Sequence, residues 1–534
     1  MSLLHLPVEV LQSIILETIP ESIDNVALTC KKLYEASERY LVQHNILRRR
    51  FRHFAFDVVG SDDDERIHGT ETFIVNSLDL LMKIIHHPII AQYIQIADLR
   101  LLSATCNIKA LREFLHKSPY LKEIGEDPDF WEGMIRHEAL GHAEFLLLSL
   151  LTHVRELALP TNWRQLGVRG EDPSGAGNDL RTWQVLDHIV SRANERDTKD
   201  AALSKLKILR PFASSGWRSR HAMTLNTPFL AIKSLREAYI GGCVATDDGE
   251  TAIPFSPEYP DYSPRLEKME LVGCTIGRGE LRALLSRIPN LNSLRYAHET
   301  KWDSCGSYFD PGQALCTIME CTSETLKELS MRTMTQMGAI ESTLSNMKGF
   351  KRLKYLEIDA AMLMGTEFRR DIIKEEFPYQ PLCVPLYEIA APRLVDMLPP
   401  SIKSVRILAT PWDCRESDPR KTRCLRALID GLCTERHSEG KLPRLKEVVF
   451  SALGNTIDNN FLDKYKAGWV TIPLQEGTEL QPDFVPDFHE RFGVPAEEYV
   501  ESDEEDILLP VGNVELEDSE SDEEDSESED DQHF

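Results

Sequence analysis

The sequence predicts an α/β chain in which short parallel strands alternate with helices, behind three N-terminal helices and ahead of an acidic tail. Three observations predict it. An apolar–x–x–apolar–x–apolar string recurs ten times between Ile96 and Phe450. Stretches with helical apolar spacing lie between the strings. Residues 501–534 hold 17 Asp/Glu and no Lys/Arg, and so contribute −17 of the formal net charge of −27. The chain then divides into a helical module (1–45), a helical linker (46–90), a repeat region (91–455), a cap or extended segment (456–500) and the tail (501–534).

The run from Leu3 to Ile19 reads as an apolar lead and a helix. Pro7 suits the first helical position, where its missing N–H costs nothing, and Glu9 favours the positive end of the helix dipole. Val10, Leu11, Ile14, Ile15 and Ile19 share one face. Pro20 ends the helix. A second helix is expected from Asp24 as N-cap, turning Val26, Ala27, Cys30, Leu33 and Tyr34 inward. A third is expected over Ser37–Phe54, with Tyr40, Leu47, Phe51 and Phe54 as its stripe. Three such helices are too small to bury this apolar surface among themselves, and the remainder marks a partner surface. The plainer alternative is a helical cap on the domain that follows.

The ten strings are Ile96/Leu99/Leu101, Val154/Leu157/Leu159, Leu203/Leu206/Ile208, Leu235/Ala238/Ile240, Leu266/Met269/Leu271, Leu291/Leu294/Tyr296, Leu326/Leu329/Met331, Leu353/Leu356/Ile358, Ile402/Val405/Ile407 and Leu445/Val448/Phe450. Leu121/Ile124 is a partial copy. Short strands of this kind turn alternate residues inward. Between them, Asp310 and Pro311 are an N-cap and first helical residue ahead of Ala314, Leu315, Ile318 and Met319. Leu281, Leu284, Leu285 and Ile288 form a second helical face; Leu180, Trp183, Leu186, Ile189 and Val190 form a third. Strand followed by helix at this period resembles an irregular leucine-rich-repeat solenoid with insertions. Cys243 and Cys274 fall where such repeats place Asn or Cys, which implies thiols turned inward onto turn backbone. Gly170–Gly177 and Cys243–Pro264 read as loops. Trp469–Leu474 reads as a last strand. Pro482–Tyr499 reads as extended, with Phe484, Val485, Phe488 and Phe492 packing back as a cap.

Leu6-Pro7-Val8-Glu9-Val10-Leu11 with Ile14-Ile15, followed by Ala27-Leu28-Thr29-Cys30-Lys31-Lys32-Leu33-Tyr34, resembles the two halves of an F-box. With the repeats behind it, the chain resembles the fungal-type F-box proteins that carry degenerate leucine-rich repeats. The F-box resemblance spans a small part of the 534 residues and speaks for that end alone. It implies docking onto a Skp-type adaptor and, through it, a cullin–RING ligase. Leu4, Leu6, Pro7, Val10, Leu11, Ile14, Ile15, Leu28, Cys30 and Leu33 would touch that adaptor or shape the contact face. The function so implied is the substrate-recognition adaptor of an SCF-type (Skp–cullin–F-box) E3 ubiquitin ligase, with an unidentified protein substrate on the repeats. The alternative is a leucine-rich-repeat scaffold with no ligase role.

No catalytic residue, metal site or cofactor is expected. His137 and His142 are five residues apart, whereas a zinc-binding HExxH helix needs four; the fifth turns the second ring roughly 140° away. No phosphate-binding GxxxxGK[ST] loop and no GxSxG elbow occurs. The eleven cysteines include no CxxC pair, and Cys316 and Cys321 do not share a helix face. The apolar run Phe145–Leu151 is far too short to cross a bilayer. With no signal segment read, a cytoplasmic and/or nuclear location with free thiols is expected. Residues 1–500 carry a mild acidic excess, which lacks the basic footprint of nucleic-acid binding. Arg48, Arg49, Arg50 and Arg52 read as a solvated helix face. In the tail, whose composition is that of disorder, Ser502, Ser519, Ser521, Ser526 and Ser528 each precede an acidic residue by three positions. They are candidate phosphorylation sites.

Overall fold

Among the described residues of the computed structural model, eleven short strands hydrogen-bond side by side, all parallel and in chain order. They are β1 (His53–Ala55), β2 (Ile96–Asp98), β3 (Glu156–Ala158), β4 (Ile208–Arg210), β5 (Glu237–Gly241) and β6 (Lys268–Ile276). They continue as β7 (Ser293–His298), β8 (Glu328–Thr333), β9 (Tyr355–Asp359), β10 (Ser404–Ala409) and β11 (Glu447–Ala452). The described residues are 5–56, 74–100, 109–136, 141–166, 180–195, 200–216, 218–247, 259–301, 309–334, 346–364, 366–369, 382–385, 392–409, 427–432, 439–452 and 484–493, with residues 253, 255, 257, 340, 342–344 and 435. The chain divides into two units, residues 1–496 and 497–534. The second unit lies wholly outside the described residues, as do the five candidate serines, Gly170–Gly177 and Trp469–Leu474.

One residue per strand forms a continuous inward column: Phe54, Ala97, Leu157, Leu209, Ala238, Met269, Leu294, Leu329, Leu356, Val405 and Val448. None of the eleven is more than 2% exposed. Three positions earlier, Phe51, Ile94, Val154, Leu206, Leu235, Leu266, Leu291, Leu326, Leu353, Ile402 and Leu445 are buried as well. The sequence period is thus a core period. Eight of the ten expected strings sit in this register.

Two strings are out of frame and one rung was missed. The second strand uses Ile94/Ala97/Leu99, because small Ala97 fills the central place that Leu99 was expected to hold. The fourth uses Leu206/Leu209/Pro211; Leu203 precedes it at a left-handed turn, with φ of 60°. The missed rung is Phe51/Phe54/Phe56, centred on β1. The sequence places its first two rings on a helical stripe, but the helix Lys31–Phe51 ends at the first of them and the chain turns extended at His53. Residues expected to be a linker therefore begin the ladder. The helix Ser77–His86 within that linker also buries Leu78, Leu80, Leu81 and Ile84 in the same core. Leu121 and Ile124 are no strand; they belong to the helix Pro119–Ile124, which Gly125 ends at φ of 74°.

The carbonyl just before each strand fixes the next one. Arg52, Gln95, Arg155, Lys207, Arg236, Glu267, Asn292, Lys327, Lys354 and Lys403 each accept the first N–H of the following strand, at 3.0–3.4 Å. That repeated bond sets register without regard to insert length, so 25 residues suffice from Met269 to Leu294 while 60 separate Ala97 from Leu157. Helices cover the inward side as their faces predict: Trp183, Leu186, Ile189 and Val190 are buried, as are Leu281, Leu284, Leu285 and Ile288. Asp310 caps its helix by accepting from the Gln313 N–H at 2.8 Å. The stretch expected as a loop from Cys243 instead begins as a strand, Cys243–Ala245, paired with the end of β6 and with His221–Ala222. A separate antiparallel pair joins Thr366–Arg369 to Leu382–Pro385.

The segment expected as extended near Phe484 is helical over Phe484–Phe492. It does not cap an end of the ladder. Phe488 and Phe492 lie on the opposite, outward side of the sheet, against Tyr239, Val272 and Ala297 of β5, β6 and β7.

The column makes a direct stability prediction. Leu356→Ala should cost roughly 2–5 kcal/mol through lost burial and the cavity left behind. Its neighbour Tyr355, which is half exposed, should tolerate Tyr355→Ala within about 0.5 kcal/mol. Equal losses in chemical denaturation would refute the register.

Candidate partner-docking site

Three helices build the N-terminal module: α1 (Val8–Glu17), α2 (Ile23–Ala27) and α3 (Lys31–Phe51). Pro7 is the N-cap of α1 rather than its first residue, and its carbonyl accepts from the Val10 and Leu11 N–H groups at 3.1 Å. Asp24 sits inside α2, not at its cap, and accepts from Arg48 at 2.7 Å. α3 starts at Lys31, so Leu33 and Tyr34 belong to it rather than to α2. Arg48, Arg49 and Arg50 fall in its last turn, where cations favour the negative dipole end.

The ten expected contact residues separate by burial. Leu11, Ile15 and Leu33 are buried and, with Ile23 and Ala36, form the module's own small core. They hold the helices together and are hidden from a partner. Leu6 and Cys30 are half-buried at its edge, Ile14 is half-buried, and Pro7 is exposed. Val10 is 42% and Leu28 81% exposed. Leu4 lies outside the described residues. The structure adds Val8, Leu16, Tyr34, Val42 and Ile46, all exposed. Tyr34 was expected inside; on α3 it is one step off the buried line of Leu33, Ser37, His44 and Phe51. Of the nine exposed large apolar side chains among the described residues, seven lie between Val8 and Ile46. Folding has left these side chains in water on a module that fills its core with others.

The module is fastened to the ladder on its other side. His44 Nδ1 and the Tyr93 hydroxyl are 2.9 Å apart and buried, and Ile19 and Leu47 pack against the main core. Lys205 donates to Glu21 at 3.2 Å, and His153 lies 3.2 Å from the same carboxylate. A hollow of about 120 Å³ between module and ladder is lined by Glu21, Asp24, His44, Arg48, Arg52 and Tyr93. Burial lowers the pKa of His44 and of His153, and raises that of Tyr93 to about 12. The Lys205 hydrogen bond holds Glu21 below the ordinary carboxylate value.

A second polar cluster was not legible in the sequence. At the ends of β6 and β7, buried Lys301 donates to Glu299 (3.0 Å) and to the carbonyls of Gly273 (2.5 Å) and Gly216 (3.2 Å). All three ammonium donors are used. Tyr296 donates to the Cys274 carbonyl at 3.3 Å, and Cys274 itself turns inward beside the Val272 and Ile240 carbonyls. Gly273, at φ of 61°, leaves no room for a Cβ beside the Ser215 carbonyl. This knot ties turns together. His142, of the near-zinc pair, is buried at the start of the helix His142–Leu148, apart from the helix that ends at Arg136. His137 lies outside the described residues.

No known protein-family model matches the chain, and a search of curated proteins returns no match.

The seam predicts acid sensitivity. An unfolded histidine takes up a proton near its ordinary 6.5, whereas His44 and His153 in the folded chain do so only at lower pH. Below 6.5 the unfolded state therefore binds more protons, and stability falls on acidification, by at most about 1.4 kcal/mol per pH unit for each group. Glu21 adds a loss in the same direction, starting lower, as pH drops through its ordinary 4.5. Equilibrium unfolding should give a smaller stability at pH 5.5 than at pH 7, and a His44→Gln/His153→Gln variant should lose less. An unchanged pH slope in that variant would contradict the assignment.

Proposed function

We propose that this chain is the substrate-recruiting adaptor of a Skp–cullin–F-box ubiquitin ligase, with α1–α3 as its F-box and the eleven-strand ladder as a degenerate leucine-rich-repeat body. The observation that carries the proposal is the concentration of exposed apolar side chains on the helices whose sequence resembles an F-box. Exposed apolar surface of this kind belongs against a partner. A helical cap serving only the ladder would turn those side chains inward, so this feature favours the ligase reading over a scaffold without a ligase role. Val8, Val10, Leu16, Leu28 and Tyr34 are the proposed contacts. Leu11, Ile15 and Leu33 act by holding the face in shape.

The ladder supports the second half of the proposal. One strand per repeat, chain-order pairing and buried first, fourth and sixth positions are what leucine-rich repeats require. In this reading the chain performs no chemistry. It raises the effective concentration of a protein target beside the transferred ubiquitin. The seam suits that task, because α3, at about 1.5 Å per residue, is a rod of roughly 30 Å that runs directly into the first strand. Among the described residues no helix is long and apolar enough to cross a membrane.

Purified full-length chain should bind a Skp-type adaptor in calorimetry. Val10→Asp combined with Leu28→Asp should weaken that binding at least about 100-fold, as expected for charges placed at two apolar anchors. Its unfolding free energy should stay within about 0.5 kcal/mol of wild type. Leu11→Asp should instead unfold the module. Absence of binding by the wild-type chain sinks the proposal.

A further inference from the structure

The outward side of the ladder is polar along most of its length. Arg210 pairs with Glu156 at 2.5 Å, Arg406 with Glu357 at 3.3 Å, and Ser330 donates to Glu357 at 2.8 Å. Across β5, β6 and β7 this changes. There Tyr239, Val272 and Ala297 form an apolar strip, and Gly241 offers no side chain. A Cβ at Gly241 would come within 2.9 Å of the Ala213 carbonyl and 3.5 Å of the Phe488 ring. The strip is bounded by Glu270, a fully buried carboxylate.

The helix Phe484–Phe492 occupies this strip by a few specific contacts. Phe488 and Phe492 are stacked edge-on with centroids 5.2 Å apart, and Phe492 meets the Tyr239 ring at 4.7 Å. Between them in sequence, Arg491 donates to Glu270 at 2.6 Å and lies over the Tyr239 ring at 5.3 Å. Arg100 donates to the Phe492 carbonyl, and Ser215 bonds His489. Lys268 (3.1 Å) and Arg295 (3.4 Å) hold Glu270 from the sheet side, so Arg491 adds a third cation to a carboxylate already paired.

One feature makes this occupant exchangeable. A nine-residue helix has little stability of its own, so its hold depends on its contacts with the sheet: the two rings, Arg491, and the bonds from Arg100 and Ser215.

We infer that the outward face of β5–β7 is a helix-binding groove, that its external partner is an amphipathic protein helix with aromatic residues four apart and an arginine directly before the second, and that Phe484–Phe492 is its resident competitor. The groove selects on two grounds: the strip between Tyr239 and Ala297 takes the ring pair, and Glu270 takes the guanidinium. This deepens the adaptor proposal by giving the target a chemistry, and it rests on that proposal only in calling the partner a ligase target.

The test uses full-length chain and a fluorescent peptide with the sequence of residues 484–493. The wild-type chain, its groove filled by its own helix, should bind the peptide weakly. A chain carrying Phe488→Ala and Phe492→Ala should bind it at least tenfold more tightly in fluorescence polarisation. The same peptide with both Phe replaced by Ala should not bind. Should the double variant fold poorly, Arg491→Glu in the chain displaces the helix while keeping both rings, and the same gain is expected. Equal binding by wild-type and displaced chains, or binding by neither, overturns the inference. Binding of a Skp-type adaptor measured on the same samples separates the two proposals. Peptide gain without adaptor binding removes the ligase reading alone; adaptor binding without peptide gain removes the groove alone.

Discussion

A single buried column, from Phe54 to Val448, is the constraint on which the rest of the molecule depends. Most of its strands are too short to be stable as isolated pairs, since several have only three residues. They hold because each column residue is covered by its neighbours above and below and by the helices behind, while the carbonyl before each strand receives the next chain segment. Stability of this kind is shared between adjacent rungs, so each rung depends chiefly on its neighbours. The inserts are then free to vary in length, and they do.

The column also decides how the N-terminal module is held. Phe51 is at once the last residue of α3 and the first buried position of the first rung. The module therefore does not hang from the ladder by a tether; a helix of it ends inside the common core. His44 with Tyr93, and Glu21 with Lys205 and His153, close the seam beside that helix. Side chains on the seam are consumed by the fold. Those on the far sides of α1 and α3, together with Leu28, are left for something else.

The sequence carried the column well and its first two frames poorly. Where the central residue is Leu, Met or Val the string could be read directly, and from Val154 onward only the Leu203 string slipped. Ala97 gave too little apolar signal to set the frame, and the left-handed turn at Leu203 placed an extra leucine ahead of the true string. The first rung was hidden by its aromatic residues, which fit a helical stripe as well as a strand. For the module, helical spacing found the apolar residues but could not divide core from surface, because α1 is apolar on more than one side. Leu11 and Val10 are neighbours in sequence with opposite fates. The knot around Lys301 had no local signature at all, since its partners Gly216 and Gly273 contribute only backbone oxygens. The late helix was legible as apolar yet not as placed, because nothing local says which face of a sheet a distant segment will cover.

The N-terminal helices and the outward strip of the sheet, the two faces proposed for partners, are held in fixed relation by the ladder between them. The most direct measurement is hydrogen exchange of the full-length chain with and without a Skp-type adaptor. The account predicts slowed exchange confined to α1, α2 and the N-terminal part of α3, with β1–β11 unchanged. Protection centred on the ladder, or none anywhere at saturating adaptor, would contradict it.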